Sequence, residues 1–129
     1  EGWGVGHTPE VAAARLAIAA EHGNALPAPD PSEGFKLSVE DADWLRRRHV
    51  PHPFGMYREP LVYDEALLQS VPRQFIDCND PGYPNIEPIR KRVRETPGWN
   101  VAEIATGHFP MVTEPDALVS HILSFVDGS

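Results

Sequence analysis

The sequence predicts an α/β fold: a helical first region followed by a βαβα unit built on parallel strands. Three observations predict it. Residues before Pro60 read as helices joined by proline-rich connections, whereas residues after it alternate strand, helix, strand, helix. The length, 129 residues with 41% apolar and 23% charged side chains, suits one modest core. Residues 1–60 and 61–129 are therefore treated as two regions of one unit.

In the first region Thr8 can cap a helix with Pro9 in its first position, and the alanine-rich run Val11 to His22 stops at Gly23. The stretch NALPAPDPSEGF, Asn24 to Phe35, is excluded from helix and from central strand because its prolines remove donors and fix φ. An extended connector is expected there. Ser38 followed by Asp41 makes a capping-box-like start for a helix through Arg48, with Trp44 and Leu45 as apolar anchors. HVPHPFGMY then breaks that helix.

In the second region PRQFIDC reads as a strand, Ile86 to Glu95 as a helix, WNVAEIA as a strand and Pro115 to Val126 as a helix. Leu118, Ile122 and Phe125 recur at helical spacing, a stripe that should face a sheet. This order implies parallel strands with right-handed crossovers. RKRVRE, Arg90 to Glu95, is expected to be the solvated face of its helix. No internal repeat is present.

Composition excludes several function classes. A net charge of −8 disfavours nucleic acid and anionic membrane as partners and favours a small or neutral one. The single cysteine, Cys78, cannot form an internal disulfide and falls inside a strand pattern, where burial is expected. No apolar run approaches bilayer length, and EGWGVGHTPE lacks the pattern of a signal peptide, so a cytoplasmic location is the expectation. The start at Glu1 rather than methionine suggests removal by processing, by design or by proteolysis.

Chemistry in open α/β sheets gathers outside the carboxyl ends of the strands. NDPGYP follows the first strand and TGHFP the second, so Asp80 and His108 should emerge at one edge if the strands are neighbours. An aspartate there can hold an imidazole in the tautomer that leaves its other nitrogen free as a base. On the residues alone, Asp80 reads more readily as a turn former in Asn-Asp-Pro-Gly than as a catalytic acid. His49 and His52 are interrupted by proline and lack a carboxylate or cysteine cluster, so they are expected to be structural or exposed. His121 should lie at a helix flank. No metal and no organic cofactor is expected.

The runs VPRQFIDCNDPGYP and GWNVAEIATGHFPMVTEPDAL resemble the end of an α/β-hydrolase, in the branch of plant methylesterases and hydroxynitrile lyases with their bacterial esterase relatives. HGNALPAPDPSEGF and WLRRRHVPHPFGMYREPL are similar to that branch's lid and the return from it. The resemblance implies an α/β-hydrolase fragment, with residues 1–60 as lid and 61–129 as the C-terminal part of the core. By it Asp80 takes the place of the catalytic acid and His108 that of the base, and Tyr83, Phe109 and Phe54 line a pocket for a small uncharged ester. The family also needs a serine on a G-x-S-x-G elbow, which this sequence lacks. Ser32 and Ser38 lie in the connector and a helix cap, Ser70 precedes a proline-led strand, Ser120 and Ser124 sit within the last helix, and Ser129 is terminal. The resemblance thus implies a serine ester hydrolase whose nucleophile and oxyanion donors lie outside this chain. Two parallel strands alone would leave open edges, so a complement is expected: the first half of the hydrolase fold or a second copy. Two alternatives stand beside esterase chemistry. One is cyanohydrin cleavage, disfavoured because Phe109 stands where the lyases carry lysine; the other is a noncatalytic binding module.

Overall fold

The computed structural model describes residues 9–57 and 62–128. Thr8, expected as a cap, and Pro60, expected near the division between regions, lie outside the described residues. The first helix, α1, spans Pro9–Glu21. It ends where Gly23 and Asn24 take left-handed φ values of 66° and 63°, which these two residue types tolerate best. The Asn24 N–H turns back to the carbonyl of Ala19 at 2.7 Å.

The proline-rich connector is not wholly unpaired. Ala25–Leu26 forms a short strand, β1, against His52–Pro53, β2, in an antiparallel ribbon. The ribbon stays at two residues a strand because prolines flank or enter it and cannot donate to a ladder. Between them runs α2, Val39–Arg46, whose N-cap Ser38 accepts from the Asp41 N–H at 3.1 Å while donating its hydroxyl to the Asp41 carboxylate at 2.7 Å. The helix buries Ala42 and Leu45, one turn apart on its inner face. Trp44, expected as an anchor, is exposed instead, and the Arg48 guanidinium lies 4.2 Å over its ring.

After a 3-10 turn at Phe54–Tyr57 comes α3, Glu65–Ser70, a helix the hydrophobic pattern did not signal. Its cause is local: the Asp64 carboxylate accepts from the N–H groups of Ala66 and Leu67. Strand β3, Arg73–Cys78, pairs in parallel with β4, Trp99–Ile104, in register from Arg73 opposite Trp99 to Cys78 opposite Ile104. The crossover carries a 3-10 turn at Pro84–Ile86 and then α4, Glu87–Glu95. Beyond β4 lie a single turn, α5, Pro110–Thr113, and the closing helix α6, Pro115–Asp127.

Helix α4 corrects the reading of RKRVRE as a solvated face. Asp77, on the inner side of β3, is 1% exposed and Arg90 only 6%. Arg90 donates from Nε to Asp77 Oδ1 at 2.6 Å and from Nη2 to the Cys78 carbonyl at 2.8 Å. Arg94, one turn on, donates to the other Asp77 oxygen and to Glu103 Oε1 at 2.7 Å. Both arginines must face the strand because a buried carboxylate with no partner would cost several kcal/mol. Lys91, on another side of the helix, is exposed and lies 4.0 Å from exposed Glu95.

Helix α6 meets the sheet in part. Leu118 and Phe125 are half-buried, but Ile122, Val119 and Leu123 stay exposed and Val126 is 62% exposed. Among the described residues β3 and β4 pair only with each other. Among the described residues the sheet edges are therefore open and an apolar helix flank faces solvent.

Candidate functional site

The parallel pairing continues beyond the strands proper. Asn79 N–H donates to the Ile104 carbonyl at 3.3 Å and Asp80 N–H to the Thr106 carbonyl at 3.0 Å, so the two loops leave the sheet side by side. Asp80 and His108 thus stand at the same C-terminal edge. The Gly-His turn is fixed from below by α5: buried Thr106 shares a hydrogen bond of 2.5 Å with the Thr113 hydroxyl. It is fixed from the side by the connector, where a Cβ on Gly107 would fall 2.1 Å from the carbonyl oxygen of Phe35. Only glycine permits that approach.

His108 sits in an aromatic cradle. Its ring centroid lies 4.5 Å from that of Tyr83, 6.4 Å from Phe35 and 6.0 Å from Phe109, the last edge-on. Phe35 is buried and meets Phe109 edge-to-face at 4.9 Å. His49 continues the stack on Phe109 at 5.9 Å. The imidazole keeps an exposed edge. Desolvation by these neighbours, followed by the positive charge of Arg90, holds its pKa below the ordinary histidine value. Both influences favour the neutral ring, the form in which a ring nitrogen can accept a proton.

Asp80 does not hold this imidazole. Its Oδ2 lies 2.6 Å from Lys36 Nζ, and no hydrogen bond joins Asp80 to His108 among the described residues. The hydrogen bond expected from the matched strand ends is replaced by an ion pair from the connector. An ammonium is the stronger partner for a carboxylate than a neutral N–H. Both side chains are more than half exposed, at 59% and 56%, and a pair so exposed adds at most about 1 kcal/mol to stability.

The other expected residues divide. Tyr83 and Phe109 both touch His108, and the Tyr83 hydroxyl accepts from Asn85 Nδ2 at 2.8 Å. Phe54 is buried beside the ribbon, its N–H donating to the Asn24 carbonyl at 2.9 Å. Sequence reasoning missed Phe35, Lys36, the contact of Gly107 with Phe35, and the Asp77–Arg90 pair. The signal that was available for the first two is the Gly34-Phe35-Lys36 corner, where Gly34 and Lys36 both take positive φ, 74° and 56°.

Other chemistry is poorly provided. The Cys78 thiol is buried, and desolvation and then the Asp77 charge push its pKa up, away from the reactive thiolate. The hydroxyls of Ser32 and Ser70 are committed to Asp30 and to the Leu67 carbonyl, and Ser38 to its cap. His108 has no serine partner among the described residues. No group of three or more histidine, cysteine, aspartate or glutamate side chains among them could hold a metal ion. No helix among them is long and apolar enough to cross a membrane. His49 also walls a groove of about 360 Å³ whose other sides include Pro27, Pro29, Pro31, Pro51 and the Asp30–Arg46 ion pair.

Over 99 residues the chain is 31% identical to the carbendazim hydrolyzing esterase of Nocardioides sp. (strain SG-4G), an alignment covering 73% of this chain and 39% of that protein. The chain thus spans about two fifths of the length of this curated relative. No protein-family profile and no solved structure matches it.

Proposed function

We propose that this chain supplies the general base and the acid of a serine-type carboxylic ester hydrolase with an α/β-hydrolase architecture, and that the nucleophilic serine and oxyanion donors come from outside it. The observation that carries the reading is the emergence of Asp80 and His108 together at the carboxyl edge of two paired parallel strands, with the imidazole in an aromatic cradle. Similarity to an esterase points to the same chemistry. In the assembled site His108 takes the serine proton as the hydroxyl attacks the ester carbonyl, then returns it to the departing alcohol; water releases the acyl group by the same path. Asp80 orients the ring and stabilises the imidazolium, and backbone donors elsewhere hold the oxyanion. Tyr83 and Phe109, backed by buried Phe35, offer apolar, planar surfaces suited to an uncharged ester. The proposed complement is the first half of the hydrolase fold or a second copy, for which the open sheet and the bare flank of α6 provide the surface.

A fluorophosphonate probe tests this reading, because it bonds covalently to an activated serine. The full-length gene product is expected to be labelled on a serine beyond these 129 residues, and residues 1–129 alone are expected to take no label and show no burst with p-nitrophenyl acetate. Stoichiometric labelling of Ser32, Ser38, Ser70, Ser120, Ser124 or Ser129 would contradict it.

A further inference from the structure

We infer that Lys36 is a positioning residue for the proposed site: by pairing with Asp80 it withholds the carboxylate from His108, and the Gly34-Phe35-Lys36 corner is a latch whose release hands Asp80 to the imidazole. The inference rests on the assignment of base and acid above and adds the control of their pairing.

Three features of the corner carry it. Phe35 is buried and packed on His108 and Phe109, so the corner is seated in the site rather than passing over it. Its carbonyl fills the space left by the missing side chain of Gly107, which ties corner and histidine turn together as one contact. Lys36 takes φ 56°, a conformation that favours glycine, and its ammonium reaches Asp80, which lies 44 positions along the chain. An exposed ion pair holds the fold together weakly, so the consequence of this one is where the Asp80 carboxylate points. It is also easily exchanged, which a latch requires.

The charged, titratable and aromatic groups around His108 can be named from each element that meets it. Arg90 approaches from α4, with its charge shared with Asp77 and Glu87. Tyr83 stacks from the turn after β3, Phe35 and Lys36 come from the connector, and His49 lies beyond Phe109. Asp80 is the carboxylate at this edge, and Lys36 neutralises it. With Lys36 withdrawn, Asp80 can accept from His108 Nδ1, which fixes that tautomer and favours the imidazolium.

Titrating His108 by ring-nitrogen NMR in the full-length gene product tests the latch, through Lys36→Met, Asp80→Asn and the double variant. Lys36 is exposed, so its replacement should leave the fold intact. In Lys36→Met the pKa of His108 should rise by about one unit and the neutral ring should carry its proton on Nδ1. Because loss of any nearby cation raises a histidine pKa, the decisive comparison is the same Lys36→Met change made in the Asp80→Asn background. There the tautomer should not change and most of the rise should vanish. Equal shifts in both backgrounds, or no shift in either, would overturn the latch. The readout is the proton on His108 and not turnover, so the latch can fail with ester hydrolysis intact, and ester hydrolysis can fail with the latch intact.

Discussion

At the scale of single residues, the strongest commitments in this molecule are Asp77 with Arg90 and Gly107 with Phe35. Desolvation, the largest influence on Asp77, would raise its pKa, but the hydrogen bonds and charges of Arg94 and Arg90 outweigh it and hold the carboxyl below the usual range. A carboxyl lowered in the folded state stabilises the fold fully above its unfolded value, near 3.9, and loses that contribution as pH falls through the lower folded value. His108 is lowered too, so the unfolded chain binds more protons between the folded value and about 6.5. Its contribution is complete above about pH 6.5 and is lost as pH falls below. A urea-denaturation series across pH should show stability falling in two steps on acidification, and His108→Gln should remove the upper step alone. Replacing Arg90 and Arg94 together by methionine strands Asp77 in the interior and is expected to cost about 3–5 kcal/mol, measured by the same denaturation midpoint. None of this was legible from RKRVRE, because a charged run shows its spacing but not the buried carboxylate on the strand opposite.

At the scale of elements, the helices and strands with strong local signals formed where the pattern put them: the alanine-rich α1, the Ser38 cap of α2, and the strands over RQFIDC and WNVAEI. A short helix with no apolar stripe and a ribbon made by distant pairing did not announce themselves. Helix α3 depends on Asp64, and the β1–β2 ribbon joins residues far apart in sequence. The candidate site divides on the same line. The strand ends placed Asp80 and His108 at one edge, whereas the connector's ion pair to Asp80 is a tertiary contact with no sequence period. Two predictions belong to this scale. Ser38→Ala should destabilise by about 0.5–2 kcal/mol through loss of the cap to Asp41, read from the melting temperature. Gly107→Ala drives a methyl group into the Phe35 carbonyl, so it should displace the connector and loosen the ring cluster on His108, visible as altered ring-current shifts of Tyr83 and His108.

At the scale of the whole molecule, the proposed base and acid stand on a small parallel sheet whose edges are unpaired among the described residues and whose outer helix exposes apolar surface. The same pairing that covers those edges would bring a serine to His108, so stability and activity should arise together when the complement is present. A coupled gain of cooperative unfolding and turnover on mixing the two parts is the expected result. The most direct measurement of the central claim is steady-state hydrolysis of p-nitrophenyl acetate by the full-length gene product and by its His108→Ala variant, with circular dichroism to follow the fold. The account predicts a loss of about four to six powers of ten in kcat with the fold retained. Turnover at the unaltered rate by a folded His108→Ala protein would show that another group is the base and would contradict it.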